Sequence, residues 1–142
     1  MQPLALVLYE KLLPGSQLVN RLQDLNKRLC TRLLVSESAV VGLDDLAVRD
    51  LGWFLLRGKS APTRVFELLG SLEQTNDVQI RLCREFGHAL ESFQAGRMDE
   101  AKRRFDDLLD LFPEDGPSRY FARLCDTGAG FADGVIIEGA QS

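Results

Sequence analysis

Histidine, tryptophan and cysteine are scarce in this chain: one His, one Trp and three Cys among 142 residues. The cysteines, Cys30, Cys83 and Cys125, are odd in number, widely spaced and without a Cys-x-x-Cys pair. That pattern argues against a disulfide framework and against a zinc site, and the three read as buried thiols. His88 falls inside an expected helix with no second His or Cys at ligand spacing, so it reads as a partly exposed helical residue. A long apolar run is also lacking. The longest near the start, Leu4 to Tyr9, is too short to span a bilayer, and no basic segment precedes it as one would in a signal peptide. Nor is there an excess of positive charge: 17 Lys and Arg stand against 21 Asp and Glu, a net charge of −4. Charge alone therefore gives no reason to expect nucleic acid or an anionic membrane as partner. The expected partner is protein, either another chain or a second copy, with no nucleic acid and no membrane segment, and the expected compartment is the cytoplasm.

What is present is the composition of a soluble globular protein, 45% hydrophobic and 27% charged. The length suits one compact domain, or a small sheet with a helical appendage. From Pro3 to Leu13 a short apolar helix is expected, ended by Pro14-Gly15. Ser16 then offers an N-cap, and Leu18, Leu22, Leu25 and Leu29 recur at three- and four-residue steps with Arg21, Asp24 and Lys27 outside the stripe, as in an amphipathic helix. Thr31 to Val35 reads as a buried strand and Ser36 to Val41 as a short capped helix. Ala47 to Leu56 alternates imperfectly, a Gly-Lys-Ser-Ala-Pro turn follows, and Thr63 to Leu68 alternates again, which together predict two antiparallel strands. Trp53 and Phe54, adjacent on a strand, must point to opposite faces.

Gly70 through Asp77 is polar and marks the change to a helical tail. From Val78 to Ala95 one face carries Ile80, Cys83, Phe86, Ala89, Leu90 and Phe93. Gly96 breaks that helix, and Asp99 is expected to cap a second, antiparallel one with Ala101, Phe105, Leu108, Leu109 and Phe112 inward. Pro113 to Pro117 ends it, and Ser118 is expected to start a third helix. After Thr127 glycines return, with one apolar run at Val135-Ile136-Ile137.

Two stretches resemble known families. The string NRLQDLNKRLCTRLLVSESAV, followed by VRDLGWFLLRGKSAPTRVFELL, is similar to the end of a bacterial class III adenylate/guanylate cyclase catalytic domain. The resemblance covers about fifty residues, from Asn20 to Leu69, with several positions in register. It implies a helix, a strand, a short helix and a hairpin in that order. It also implies a dimeric enzyme in which two aspartates hold two magnesium or manganese ions. Carried over by position, Arg21 falls on the transition-state arginine and Lys59 on the hairpin lysine that contacts the triphosphate. Gln17 stands where the family has asparagine, and Asn20 is displaced about a hundred degrees round the helix from the required place. The stretch from Met1 to Val19 holds no aspartate, and Glu10 is its one carboxylate. Metal ligands of the family pattern are thus absent from the sequence, so no cofactor is expected and turnover by this chain alone is not.

The second stretch, ALESFQAGRMDEAKRRFDDLLDLFPEDGPSRYFARLC, is similar to one tetratricopeptide-like helix pair, with Ala89, Gly96, Ala101, Phe105 and Pro113 at the repeat's marker positions. A single pair cannot form a solenoid and is expected to dock on its own third helix or on the sheet. Tails ending in a string like Phe131-Ala132-Asp133-Gly134-Val135 follow the catalytic domain in many receptor-type cyclases, and the order of the two resemblances agrees with that arrangement.

The expected fold is therefore α+β: a small antiparallel sheet with flanking helices over residues 1–70, a tetratricopeptide-type helical segment over 78–127 and a glycine-containing tail over 128–142. The resemblances imply a non-catalytic remnant or C-terminal piece of a signalling cyclase that acts through protein–protein contacts. The alternatives are a chain that completes an active site with another polypeptide supplying the aspartates, using Arg21 and Lys59, and a peptide-binding adaptor with Phe93 and Phe105 at its surface. For Arg21 a plain ion pair with Asp24 and for Lys59 a plain turn position are the simpler readings.

Overall fold

A computed structural model of the chain describes residues 34–40, 45–56 and 60–137. The two helices expected before Leu29, with Cys30, Arg21 and Lys59, lie outside the described residues. In chain order the elements are β1 (Leu34–Ser36), α1 (Glu37–Val40), β2 (Leu46–Leu55), β3 (Thr63–Ser71), a 3₁₀ turn (Leu72–Gln74), α2 (Asp77–Gln94), α3 (Met98–Leu111), α4 (Gly116–Thr127), β4 (Phe131–Ala132) and β5 (Val135–Ile137).

The alternation of Ala47 to Leu56 is imperfect for a physical reason. β2 pairs antiparallel with β3, and the register shifts between Asp50 and Gly52, so one residue of β2 is extra. Gly52 takes φ +93° at that bulge, and its N–H donates to Asp50 Oδ1 at 2.9 Å. Such a bulge resets the phase of the strand. Leu51 before it and Phe54 after it, three apart in sequence, therefore both enter the same core. Phe54 is fully buried and its neighbour Trp53 is 39% exposed, so the two do face opposite ways.

The sheet has five strands in the order β1-β3-β2-β5-β4 and is mixed. β1 and β3 lie antiparallel, as do β4 and β5, but β5 runs parallel to β2, with Phe54 beside Ile136. The sheet is therefore not the all-antiparallel one expected from the sequence. The glycine-containing tail is the cause. It returns to the sheet after the helices as a two-residue hairpin, in which Asp133 (φ 52°) and Gly134 (φ +79°) both adopt positive φ. That pair makes the tight turn favoured by Asp-Gly sequences, and the turn sets the direction of β5. A strand of three residues is too short for alternation to announce it.

The helices cover one face of the sheet. Asn76 caps α2 with a reciprocal pair: its side chain accepts from Gln79 N–H at 2.8 Å, and Gln79 Oε1 accepts from Asn76 N–H at 3.3 Å. The start of α3 differs from expectation. Gly96, at φ +81°, turns the chain so tightly that Arg97 occupies the cap position without a side-chain cap, and Asp99 lies inside the first turn. Asp99 and Glu100 there still oppose the positive helix end. Glu100 also ties the two helices together by accepting from Ser92 Oγ at 3.0 Å. The third helix likewise begins before Ser118: Asp115 is its cap, and Gly116 and Pro117 fill the first turn.

Phe86 of α2 meets Phe105 of α3 while Ser92 meets Glu100, and Phe105 stacks on Phe121 of α4 at 5.3 Å while Lys102 meets Asp126, so successive helices run antiparallel. Phe93 joins the same group edge-on to Phe121 at 5.1 Å. The core these rings form is continuous with Leu34, Leu51, Phe54, Val65 and Ile136 of the sheet. The helix pair thus docks both on its own third helix and on the sheet. α2 also approaches the turns of the sheet closely: a Cβ at Gly134 would stand 3.1 Å from Gln94 Cα. On the other face Val35 and Leu68 form a smaller cluster with Val40, Leu46, Val48 and Phe66 around it. Among the described residues no helix is long and apolar enough to cross a membrane.

The two neighbouring aromatics give a direct test of the phase of β2. Phe54→Ala should cost about 3–5 kcal/mol in urea-unfolding free energy, whereas Trp53→Ala should cost about 1 kcal/mol or less. Equal losses from the two would refute the placement of the bulge.

Candidate functional site

The most concentrated polar chemistry among the described residues is a buried cluster where sheet and helices meet. Arg49 of β2 and Glu67 of β3 are directly opposed in the strand ladder. Both occupy inward positions, in phase with Ala47 and Leu51 on one strand and Val65 on the other, so their charges enter the protein. Arg49 is only 3% exposed. Its Nε donates to Glu67 Oε1 at 2.9 Å, and its Nη2 reaches the same oxygen. The rest of the guanidinium is taken up by Asp115: Nη1 donates to Oδ2 and Nη2 to Oδ1, each at 2.9 Å. This is the two-bond, planar pairing that arginine makes with a carboxylate.

Asp115 has a second duty. Its Oδ2 accepts from Ser118 N–H at 3.1 Å and from Ser118 Oγ at 2.6 Å. The carboxylate that caps α4 is thus the one that receives the arginine of the sheet, and the positive end of the helix adds to the field that favours its charge. Below the guanidinium lies the ring of Phe86, with Cζ 4.8 Å from the centroid. Burial pushes the Arg49 pKa down, but the Asp115 hydrogen bond and the charges of Glu67 and Asp115 outweigh it, and the net shift is upward. Arg49 is therefore charged at every physiological pH. Chemically the arrangement is a clamp: its arginine is committed to two carboxylates.

Cys83 lies within the field of this cluster. Burial is the main cause that raises its pKa, and Arg49 opposes the shift. Cys125, half-buried on α4, is pushed up to about 11, again by burial first. Neither is an activated thiol. Both are half-buried, short of the fully buried thiols expected. His88 is exposed on α2.

A second cluster occupies the opposite face of the sheet. Arg64 of β3 donates through Nη2 to Asp50 Oδ2 at 2.5 Å and through Nη1 to Glu37 Oε2 at 3.3 Å. The Asp50 hydrogen bond is the largest cause of its raised pKa. Its guanidinium lies 5.3 Å from the Phe66 ring centroid and 6.0 Å from that of Trp53. At 37% side-chain exposure these pairs are screened by solvent, and they order the surface rather than hold the fold.

Of the residues singled out from sequence, Arg21 and Lys59 lie outside the described residues, so no contact of theirs with either cluster is described. Among the described residues no three His, Cys, Asp or Glu side chains gather as metal ligands. The buried clamp was missed from sequence. Its signal was there in part: charges of opposite sign at the inward phase of two strands expected to pair. Asp115 gave no such signal, because only the fold brings it to Arg49.

Removing one member of the clamp strands the others. Arg49→Met should cost about 3–5 kcal/mol of stability by leaving two buried carboxylates without their counter-charge. Replacing all three together, as Arg49→Met, Glu67→Leu and Asp115→Asn, should cost less than Arg49→Met alone, because Asn can still cap α4. A triple variant less stable than the single one in chemical denaturation would show that stranded carboxylates are not what destabilises the single variant. The thiols offer a separate check. At pH 8 Cys125 should be thiolate to only about one part in a thousand. Its alkylation in the folded chain should therefore be far slower than after unfolding, and should accelerate toward pH 11. Compared with models of protein families, with curated proteins and with solved structures, the chain matches none.

Proposed function

We propose that this chain is a non-catalytic remnant or C-terminal piece of a signalling nucleotide cyclase that acts through protein–protein contacts. The observation that carries the reading is the element order from Leu34 to Ser71: strand, helical turn, then a long antiparallel hairpin. It is the order that the cyclase resemblance of the same residues implies. The helical hairpin that follows, packed on its own third helix and on the sheet, is compatible with the tetratricopeptide-like tail that the second resemblance implies.

The two metal ions of cyclase chemistry would need a carboxylate pair, and the two acidic clusters described do not fit them. Glu67 and Asp115 are bound to Arg49, and Asp50 and Glu37 to Arg64. In the second reading Arg21 and Lys59 serve an active site completed by another polypeptide that brings the aspartates. The adaptor reading needs revision in its residues, because Phe93 and Phe105 are both fully buried and cannot meet a peptide directly.

Purified chain given ATP or GTP with magnesium or manganese should form no cyclic nucleotide above background. Measurable cyclic AMP or cyclic GMP would overturn the non-catalytic reading. Mixing with a polypeptide that carries the metal-binding half separates the second reading. Activity that appears on mixing, and falls about 100-fold or more with Arg21→Ala or Lys59→Ala, would support completion of a shared site. Unchanged activity would count against it.

A further inference from the structure

The outer groove between α2 and α3 takes no part in the buried clamp, and of its lining only Leu108 belongs to the core. Arg81 and Glu85 of α2 and Arg104, Asp107, Leu108 and Leu111 of α3 line a cavity of about 250 Å³. Because the helices are antiparallel, with Phe86 against Phe105, Arg81 lies toward the Leu111 end and Glu85 toward the Arg104 end. Charges of both signs therefore stand on both walls. Among the described residues no ion pair crosses between the walls: Glu85 has Arg84 at 3.8 Å and Arg104 has Glu100 at 3.8 Å, each on its own helix. Arg104 Nε is buried and donates to no acceptor. At one end of the groove Leu111 is 53% exposed, and Val78, one turn before Arg81 on α2, is 61% exposed.

The covered Nε is out of reach of another chain, but the Arg104 side chain as a whole is 42% exposed, so a carboxylate from outside the helix pair can approach the rest of its guanidinium. A uniformly acidic partner would meet Glu85 and Asp107, and a uniformly basic one would meet Arg81 and Arg104. A surface of mixed sign avoids both penalties. The groove itself is such a surface: two arginines and two carboxylates, locally neutral on a chain whose net charge is −4. A two-fold rotation brings the same patch against itself, so each arginine can face a carboxylate of the other copy while the exposed Leu111 and Val78 are covered. A neutral patch is also where two acidic chains repel each other least. We propose that the α2–α3 groove is the contact between two copies of this chain, held by arginine–carboxylate pairs across a two-fold axis. The proposal uses residues of α2 and α3 alone and does not depend on the cyclase reading.

Charge reversal tests it without assuming which residue faces which. One variant carries Arg81→Glu with Arg104→Glu, so that its groove is wholly acidic. The other carries Glu85→Arg with Asp107→Arg, so that its groove is wholly basic. In sedimentation velocity across a concentration series, the wild type should dimerise and each variant alone should stay monomeric. A 1:1 mixture of the two variants should recover a dimer containing one of each. Circular dichroism would establish that both variants are folded. Should one fail to fold, Arg104→Gln with Glu85→Gln, which adds no repulsion, should weaken the wild-type dimer about tenfold or more. A wild type that remains monomeric to concentrations on the order of 1 mM would overturn the proposal and leave the groove to a partner of another sequence. Dimers that survive in both reversal variants, or variants that do not pair when mixed, would overturn it equally.

Discussion

Arg49 joins the two layers of this protein. Its guanidinium takes one carboxylate from the neighbouring strand and another from the cap of α4, and it rests on a core phenylalanine. A charge taken this far out of water is tolerable only with its hydrogen bonds filled, so the positions of β2, β3, α4 and Phe86 are bound to one another by a single group. Glu67 holds the strand register at that point, and Asp115 fixes where α4 begins. The apolar contacts around the clamp are non-directional and would tolerate sliding of the helices. The clamp admits one alignment.

Around it the packing follows from the two periodicities of the chain. The strands place every second residue toward the helices, and the bulge at Gly52 restores that phase where it would be lost. The helices answer with a ring of phenylalanines, one or two from each, whose edges and faces interlock. The short β4–β5 hairpin then closes the sheet beside β2 and brings Phe131 against Phe93 at 4.8 Å. What the sequence presents as three successive segments shares one core.

The clamp's place in the fold also bears on function. Its groups are committed to one another, and burial raises the pKa of Cys83 within its field, as it does that of Cys125 elsewhere on α4. The features that face outward are of another kind: the Arg64 surface with its aromatic neighbours, and the mixed-charge groove between α2 and α3. Both are solvent-facing arrangements of arginines and carboxylates, and the second is the contact proposed above for another copy of the chain.

How much of this was legible beforehand differs by element. The apolar spacing of residues 78–125 announced the helices and their buried rings, because a repeat near 3.6 sustained over many residues has few other solutions. The β2–β3 hairpin and the opposed directions of Trp53 and Phe54 followed from alternation. The caps were misplaced by two or three residues, since Asp99, Asp115 and Ser118 are all good cap residues and the tight turns at Gly96 and Pro113 to Pro117 decide among them. The parallel β5 strand and the Arg49–Asp115 contact could not be read at all. By itself the sequence determined local structure and which faces are apolar, because those depend on residues within a turn or two of each other. Only the tertiary structure decided the mixed sheet and the completion of the clamp, because the β2–β5 pairing and the Arg49–Asp115 bridge join residues 66 or more positions apart, whose meeting depends on how the intervening helices pack.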